Sequence, residues 1–152
     1  MAELFIRKSI EVNAPAEALW KVLTDNTFIP QYMFGCNAET DWKPGSELLW
    51  KGATDDKMYV KGTVVAVDEP HRLEYTIIDP NNPAVPDIPA NYLTMIYEIR
   101  EQGEGLVFEI IQGDYSKVAE GQKRYEDTLK GDDYILLKIK ELAEGLKVHA
   151  AS

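Results

Sequence analysis

A strand that runs directly into a proline-started helix opens this chain and limits the folds open to it. Residues 5–12 alternate apolar and polar side chains well enough to predict a half-buried strand. Pro15 suits the first helical turn, where its missing N–H would have no partner. Because proline disfavours helical geometry in the residue before it, we predict Ala14 as the cap and Glu17 at the third helical position. The chain therefore begins with a strand and a capped amphipathic helix.

The remaining pattern predicts a largely antiparallel sheet followed by a long helix. A second helical turn is expected at 28–34 and is ended by Gly35. Six further strands, joined by short turns, are then predicted at 38–42, 47–52, 58–67, 73–78, 91–100 and 104–112. From Ser116 the apolar spacing becomes helical. Residues 131–133 interrupt it, either as a kink or as a junction where Asp132 or Asp133 caps a new helix. The fold class is α+β, with six to seven strands wrapped on the C-terminal helix and two short helices after the first strand.

The predicted hairpin around Glu101-Gln102-Gly103 fixes which side chains face inward. Alternation puts one set of residues on a common inner face: Leu93, Met95, Tyr97 and Ile99 on one strand, Leu106, Phe108, Ile110 and Gln112 on its partner, and Leu73, Tyr75 and Ile77 nearby. Glu74 and Glu109 are predicted to point outward. An acid–base role would become worth considering only if one of them pointed inward.

The segment 79–90 interrupts the predicted strands with four prolines. Proline lacks the N–H that a central strand donates, so this segment is predicted to be a long irregular loop outside the sheet.

Composition excludes several classes of partner. The 152 residues fit one domain, 1–152, with a frayed tail at 146–152, and the formal net charge is −10. That charge argues against nucleic-acid binding and against an anionic membrane surface. A single cysteine, Cys36, fits a reducing compartment, and the first residues lack the pattern of a signal peptide. We therefore expect a cytoplasmic protein.

Residue types that carry catalysis are scarce. His71 and His149 are the only histidines, too few for a histidine-rich metal centre or an obvious triad. Cys36 has no histidine nearby in sequence, and the adjacent pairs Asp55-Asp56 and Asp132-Asp133 are more typical of solvated turns or caps than of cation sites. The sequence predicts no catalytic residue, no metal and no cofactor.

Four segments together resemble one protein superfamily. They are residues 10–25, the Pro-Gly hairpin 42–50, the strand-turn-strand 61–75, and the last hairpin around 95–99 and 103–106. In this order they resemble the START-like (SRPBCC) superfamily, and more narrowly its branch of homologues of the activator of heat-shock-protein-90 ATPase (AHSA-like). The resemblance runs from about Ile6 to Gly145 and implies a helix-grip fold. Asp133-Tyr134 stands where the family often has Gly-Trp, and Leu106 where it often has Thr, so no ligand is carried over from a relative.

The fold implied by the resemblance leaves a cavity between sheet and helix, and cavities of this kind are typical apolar ligand sites. Aromatic and soft side chains are well placed to line it. The candidates are Tyr75, Met95, Tyr97, Phe108 and Gln112 from the inner face, Tyr125 and Tyr134 from the helical region, and Tyr32, Trp50 and Met58 near the rim. The alternative is that these residues are ordinary core residues, satisfied by one another or by water. A buried tyrosine hydroxyl needs a partner in either case.

The resemblance implies three competing functions. The leading hypothesis is non-catalytic binding of a small hydrophobic molecule, with the loop 79–90 bordering the entrance as a lid. An enzyme of the cyclase or aromatase type is the alternative, although few inward ionisable groups are expected. Interaction with a chaperone is a third, suggested by the family name; the activator itself uses a further N-terminal domain, for which 152 residues leave no room. The resemblance leaves a homodimer open.

Overall fold

The computed structural model describes residues 3–130 and 133–151, and for 147–151 it describes only the backbone. Within these residues seven strands are present: β1 (Ile6–Val12), β2 (Cys36–Glu39), β3 (Glu47–Gly52), β4 (Met58–Asp68), β5 (Arg72–Ile77), β6 (Leu93–Gln102) and β7 (Gly105–Gly113). The helices are α1 (Ala16–Thr24), α2 (Ile29–Tyr32), α3 (Gly121–Lys130) and α4 (Tyr134–Ala151), with short 3₁₀ turns at Pro89–Asn91 and Tyr115–Lys117.

The strands form one antiparallel sheet in the order β1-β7-β6-β5-β4-β3-β2. Each strand from β2 to β7 pairs with its neighbour in sequence, and β1 returns to pair with β7. The predicted fold class is confirmed: a curved antiparallel sheet with two short helices after the first strand and a C-terminal helix, as in a helix-grip fold.

The start of α1 differs from the prediction by one position. Pro15 is the N-cap, with φ −72° and ψ 157°, and its carbonyl accepts hydrogen bonds from the backbone N–H groups of Ala18 and Leu19. Ala14 therefore lies outside the helix and is fully buried, and Glu17 takes the second helical position rather than the third. Proline is tolerated at the N-cap because this position contributes its backbone carbonyl, which accepts the first helical hydrogen bonds. A backbone N–H is not required there.

The strand predicted at 38–42 begins and ends earlier, at Cys36–Glu39. Trp42 lies outside it with a positive φ of 55°, and its indole Nε1–H donates to the Thr24 carbonyl at 2.9 Å. This bond ties the segment after β2 to the end of α1. The alternation of neighbouring residues does not reveal a contact between segments this far apart in sequence, so the pattern predicts the wrong bounds for β2.

The β6–β7 hairpin closes later than predicted. Gln102 pairs with Gly105, so Gly103 and Glu104 form the turn, and Glu101 and Gln102 belong to the strand. Gly103 has a φ of 63°, which glycine adopts at little cost. The predicted alternation is otherwise present, since Leu93, Met95, Tyr97 and Ile99 are all buried on β6.

The helical region is divided into separate helices. α3 ends at Lys130, α4 begins at Tyr134, and the backbone N–H of Leu137 bonds to the Asp133 carbonyl at 2.9 Å. Asp132, the other predicted cap, lies outside the described residues. α4 continues to Ala151, and the expected fraying at 146–152 stays a prediction.

The inner face of the sheet, defined by Leu73, Tyr75, Met95, Tyr97 and Phe108, carries the main core. Side chains of α1, α2 and α4 pack into the same cluster: Leu19, Trp20 and Leu23 from α1, Ile29 and Tyr32 from α2, and Leu136, Ile139 and Ala143 from α4. The sheet therefore presents one continuous apolar surface to all three helices. Among the described residues, no helix is long and apolar enough to cross a membrane.

Candidate functional site

Two adjoining cavities lie against the inner face where α2 gives way to β2. The first cavity has a volume of about 490 Å³. Strands β3 to β6 and the segment after α2 line it, through Met33, Phe34, Gly35, Cys36, Trp50, Gly52, Thr54, Asp55, Tyr59, Val60, Tyr75, Ile77 and Met95. Most of these side chains are apolar or aromatic, as in sites for small lipophilic ligands.

The second cavity has a volume of about 270 Å³ and lies toward β1, β7 and the start of α4. Its walls are Ile6, Lys8, Met33, Phe34, Met95, Tyr97, Ile110, Gln112, Thr128, Asp133, Tyr134, Ile135 and Leu136. Met33, Phe34 and Met95 border both cavities, and we call these three residues the shared wall. The two cavities are therefore neighbours that share part of their walls.

The turn after α2 builds most of the shared wall. The Met33 N–H still bonds to the Ile29 carbonyl, and then Phe34 and Gly35 both take positive φ values of 53° and 84°. This reversal turns the Phe34 side chain away from the core, so that it is 78% exposed. Its ring stacks on Tyr134 of α4, with centroids 5.8 Å apart. The stack joins the α2–β2 turn to α4 beside the cavities.

Two tyrosines joined by a hydrogen bond line the site. Tyr75 on β5 is the register partner of Met95 on β6, and Tyr97 follows on the same face of β6. The Tyr75 and Tyr97 hydroxyl oxygens are 2.6 Å apart, and either one is able to donate. Tyr75 borders the first cavity and Tyr97 the second.

Both tyrosines of this pair are neutral at ordinary pH. Burial raises the pKa of Tyr97 to about 12. Burial, reinforced by the neighbouring Tyr97, raises the pKa of Tyr75 well above its usual value. Neutral phenols donate and accept hydrogen bonds but are poor bases, so this pair is suited to holding a ligand rather than to removing a proton.

The rim of the first cavity is acidic. Asp55 accepts a hydrogen bond of 2.6 Å from the Tyr59 hydroxyl and one of 2.9 Å from the Lys57 backbone N–H. These bonds hold the pKa of Asp55 below its usual value, with the Tyr59 bond the larger cause. Burial, and secondarily the Asp55 charge, raises the pKa of the Cys36 thiol. Cys36 is therefore a protonated wall residue rather than a thiolate nucleophile.

The second cavity has a balanced pair of charges. Lys8 of β1 donates to an Asp133 carboxylate oxygen at 2.9 Å, so the two charges compensate each other. Thr128 donates to the Arg124 carbonyl at 2.8 Å and accepts from Tyr115. Gln112, near the end of β7, also lines this cavity.

The structure brings six of the ten sequence candidates to the cavity walls. Trp50 lines the first cavity together with Tyr75, and Met95 lines both; the second is lined by Tyr97, Gln112 and Tyr134. Whether they bind a ligand stays a prediction. Their placement follows from the alternation of the strands and from the position of Tyr134 at the start of α4.

Two candidates are core residues instead. Tyr32 is 1% exposed, and its hydroxyl donates to the Val22 carbonyl of α1 at 2.9 Å. Phe108 is fully buried, with its ring centroid 5.6 Å from that of Tyr97, so it lies against the tyrosine pair but not at the cavity surface. Both are packed as core residues, and neither lines a cavity.

The other two candidates line neither cavity. Tyr125 of α3 packs edge-on against Tyr115, with centroids 5.6 Å apart, in a smaller cluster with Ile6 and Leu93. Met58 begins β4, where its carbonyl accepts from the Asn81 amide at 2.8 Å. Helical spacing and strand alternation predict which face of an element a residue occupies. Neither pattern predicts where along the element a cavity lies.

None of the residues of the loop 79–90 lines either cavity, and a role of this loop as a lid stays a prediction. The loop is fixed elsewhere. Asp87 pairs with Lys61 of β4 and accepts from the Tyr92 hydroxyl at 2.5 Å, and Val85 is buried. The neighbouring Asn91 is also buried, and its amide donates to the Pro86 carbonyl at 2.8 Å. The α2–β2 turn, not this loop, borders the site.

Sequence reasoning missed the residues of that turn. Met33, Phe34 and Cys36 line the first cavity, whereas the sequence pattern predicts only a short helical turn that ends at Gly35. The available signal was Phe34 directly before Gly35, an aromatic residue at the point where a helix stops. Turns have no apolar period, so the pattern alone gives no direction for these side chains.

Glu74 and Glu109, which are predicted to point outward, line neither cavity. Glu74 pairs with Arg72 at 3.0 Å, and Glu109 lies 3.5 Å from Arg100. His71 contacts Glu101 on the surface at 3.1 Å. The side chain of His149 lies outside the described residues. Within the part of the chain that the structure describes, no group of three or more His, Cys, Asp or Glu is placed to hold a metal ion.

Comparison with known proteins agrees with the fold and the resemblance. The model of the family described as activator of Hsp90 ATPase homolog 1-like protein matches residues 13–144. A search of curated proteins gave no match. The solution structure of ChR145 from Cytophaga hutchinsonii is 29% identical to this chain, with a TM-score of 0.68 and 100% of each chain covered.

Two more distant structures share the fold. The crystal structure of PFC0360w, an HSP90 activator from Plasmodium falciparum, is 15% identical with a TM-score of 0.60, covering 82% of this chain and 86% of that one. The solution structure of CalU16 from Micromonospora echinospora is 16% identical with a TM-score of 0.65, covering 93% of this chain and 65% of that one.

Proposed function

This chain belongs to the family of activator of Hsp90 ATPase homolog 1-like proteins, and we propose that it binds a small lipophilic molecule without catalysis. The observation that carries the proposal is the first cavity, about 490 Å³ in volume and walled mainly by apolar and aromatic side chains. A volume in this range is typical of small-molecule sites.

The shared wall extends the proposed site beyond the first cavity. Met95 is 9% exposed and Phe34 is 78% exposed, and both border the two cavities. Met side chains and aromatic rings adapt to irregular apolar ligands at little cost, since thioethers are flexible and rings offer large contact areas. We therefore propose that one ligand occupies both compartments, with Met95 against its centre.

Catalysis of the cyclase or aromatase type finds less support. The neutral Tyr75–Tyr97 pair is a poor base, and the carboxylate of Asp55 at the rim is engaged by Tyr59 and Lys57. Interaction with a chaperone rests on the family name and on the P. falciparum relative, with no feature of the described residues favouring it over ligand binding. A homodimer and a cytoplasmic location stay predictions.

The proposal is tested by native mass spectrometry of the purified protein after incubation with Nile red, a neutral lipophilic dye. We expect a 1:1 complex for the unchanged protein. Met95→Trp fills the space at the shared wall, and we expect it to raise the Kd for the dye at least roughly tenfold, which corresponds to about 1.4 kcal/mol. Ile77→Trp, in the first cavity only, is a second blocking variant.

Met58→Trp is the matched control, because Met58 lines neither cavity. It makes the same change of residue type and is expected to bind the dye like the unchanged protein. Circular dichroism confirms that each variant is folded. If both blocking variants fold and bind as well as the control, the ligand is not in these cavities and the proposal fails.

A further inference from the structure

The polar groups around the two cavities restrict the chemistry of the ligand. We propose that the ligand is an uncharged lipophilic molecule with a hydrogen-bond acceptor oxygen, such as a carbonyl, in its middle, and that this oxygen accepts a hydrogen bond from a hydroxyl of the Tyr75–Tyr97 pair. This inference rests on the function proposed above and names the class of molecule that the same site takes.

The Tyr75–Tyr97 pair has one more hydrogen-bond donor than its internal hydrogen bond uses. The two hydroxyls are 2.6 Å apart and share one hydrogen bond, for which one proton is sufficient. Each tyrosine has one O–H donor, so the accepting hydroxyl keeps its own proton. Among the described residues, neither hydroxyl has a second hydrogen-bond partner. One buried donor of the pair is therefore left for a group that is not part of this chain.

The nearby Tyr32 hydroxyl does not accept a hydrogen bond from this remaining donor. Tyr32 is close enough for its presence to add to the rise in the pKa of Tyr75, for which burial is the larger cause. Its hydroxyl, however, donates to the Val22 carbonyl at 2.9 Å and makes no hydrogen bond to the pair. Since a buried donor without an acceptor costs about 1–3 kcal/mol, an acceptor supplied by a ligand in either bordering cavity stabilises the bound state.

The charges around the cavities favour an uncharged ligand. The ionised carboxylate of Asp55 borders the first cavity, so a carboxylate or phosphate placed there would be repelled. Lys8 borders the second cavity but is paired with Asp133 at 2.9 Å. Among the described lining residues of these two cavities, no cation remains uncompensated to hold an anionic headgroup. Lys57 lies over the Tyr59 ring at 5.3 Å and does not line the cavity.

The position of the pair places the acceptor in the middle of the ligand. Tyr75 borders the larger compartment, Tyr97 borders the smaller one, and Met95 between them borders both. An oxygen held by this pair lies where the compartments adjoin, so apolar portions extend from it on either side. A molecule with its polar group at one end, such as a fatty acid, would not match this arrangement.

The experiment compares three probes that differ in the polar group. They are 6-undecanone, 6-methylideneundecane, in which a carbon replaces the carbonyl oxygen, and undecanoate, which carries a terminal charge. Each is titrated against the protein loaded with Nile red, and loss of dye fluorescence gives its Kd. We expect the ketone to bind roughly 2- to 10-fold more tightly than the hydrocarbon, the size of effect of one neutral hydrogen bond, and more tightly than undecanoate at neutral pH.

The double variant Tyr75→Phe/Tyr97→Phe assigns the preference to the hydroxyls. It removes both hydroxyls and keeps the rings, a replacement that is nearly neutral for stability when both partners of a bond are lost. We expect it to bind the ketone and the hydrocarbon equally. Each single variant leaves one hydroxyl and is expected to keep the ketone preference.

The outcomes separate this inference from the proposed function. If the probes bind but the unchanged protein shows no preference for the ketone, or prefers undecanoate, the inference is overturned and the binding function stands. A ketone preference that survives in the folded double variant also overturns it. If neither Nile red nor any probe binds, both fail together. The comparison in the unchanged protein needs no variant and remains decisive if the double variant does not fold.

Discussion

Tyr32 and Phe34 are near neighbours in sequence, yet Tyr32 is 1% exposed and Phe34 is 78% exposed. Tyr32 belongs to what we call the sealed half of the inner face, where Leu19, Leu23 and Ile29 are at most 1% exposed and line neither of the two cavities. Phe34 belongs to an open half, which comprises the shared wall and the two cavities. One sheet face is thus closed by well-packed helices at one end and covered loosely at the other.

The difference in packing lets one half stabilise the fold and leaves the other half free to bind a ligand. Close packing in the sealed half maximises the apolar contacts that stabilise the fold. The open half forgoes part of these contacts and keeps space that an apolar molecule can fill. We therefore expect substitutions in the sealed half to act on stability, and substitutions in the open half to act mainly on binding.

The largest expected effect comes from truncating matched aliphatic side chains in the two halves. Leu19→Ala, at a fully buried position of α1, is expected to lower the free energy of unfolding by about 2–5 kcal/mol. Ile77→Ala removes the same number of carbons but borders the first cavity, so fewer contacts are lost and we expect about 1–2 kcal/mol. Urea denaturation measures both. Equal losses would mean that the halves are packed alike.

Alkaline pH is expected to act through the tyrosine pair. Because folding raises the pKa of Tyr97 from about 10 to about 12, its contribution to stability is complete below pH 10 and is lost as the pH rises toward 12. Tyr75 shifts in the same direction. We expect the free energy of unfolding to fall by up to about 3 kcal/mol over this range, as measured by urea denaturation.

The variant Tyr75→Phe/Tyr97→Phe sharpens that test, because it removes both groups from the titration. Its stability is expected to fall less steeply with pH than that of the unchanged protein. Tyr32, whose pKa is also raised mainly by burial, remains in both proteins. An equal slope in the two proteins would show that the pair is not the origin of the alkaline loss.

A buried hydrogen bond in the sealed half gives a smaller effect. Tyr32→Phe removes the hydroxyl that donates to the Val22 carbonyl and leaves that acceptor without this donor. We expect a loss of about 1–2 kcal/mol in the free energy of unfolding and no change in the Kd for Nile red. A clear change in dye affinity with unchanged stability would place Tyr32 in the binding site and contradict its assignment to the sealed half.

The smallest effect on stability is expected at Phe34. Phe34→Ala removes the stack on Tyr134, an aromatic pair worth about 1 kcal/mol or less at an exposed position. Because the side chain borders both cavities, we expect faster dissociation of Nile red, measured by stopped-flow fluorescence. An unchanged dissociation rate, together with a stability loss like that of Leu19→Ala, would make Phe34 a core residue.

Regular alternation made the sheet and the inner-face residues of the site predictable. Met95 and Tyr97 face inward because they are separated by one residue on a strand, and Tyr75 follows from the same rule on β5. The turn 43–46 was also predictable, since Gly45 takes a φ of 90° after a proline.

The rest of the site depends on contacts between distant segments. A hydrogen bond joins the Trp42 indole, which lies after the end of β2, to the Thr24 carbonyl of α1. An ion pair between Lys61 and Asp87 holds the proline-rich loop against β4. Phe34 borders the site because of two successive positive φ values, which the sequence marks only by Gly35. None of these features has a period along the chain, so a pattern of residue types does not reveal them.

The most direct test of ligand binding in the open half is NMR of the methionine methyl groups during titration with Nile red. Met33 and Met95 belong to the shared wall, whereas Met58 lies outside both cavities and serves as an internal control. Ligand binding in the open half predicts that the methyl signals of Met33 and Met95 shift or broaden while that of Met58 stays unchanged. Saturable dye binding that moves Met58 and leaves Met33 and Met95 unchanged would contradict it.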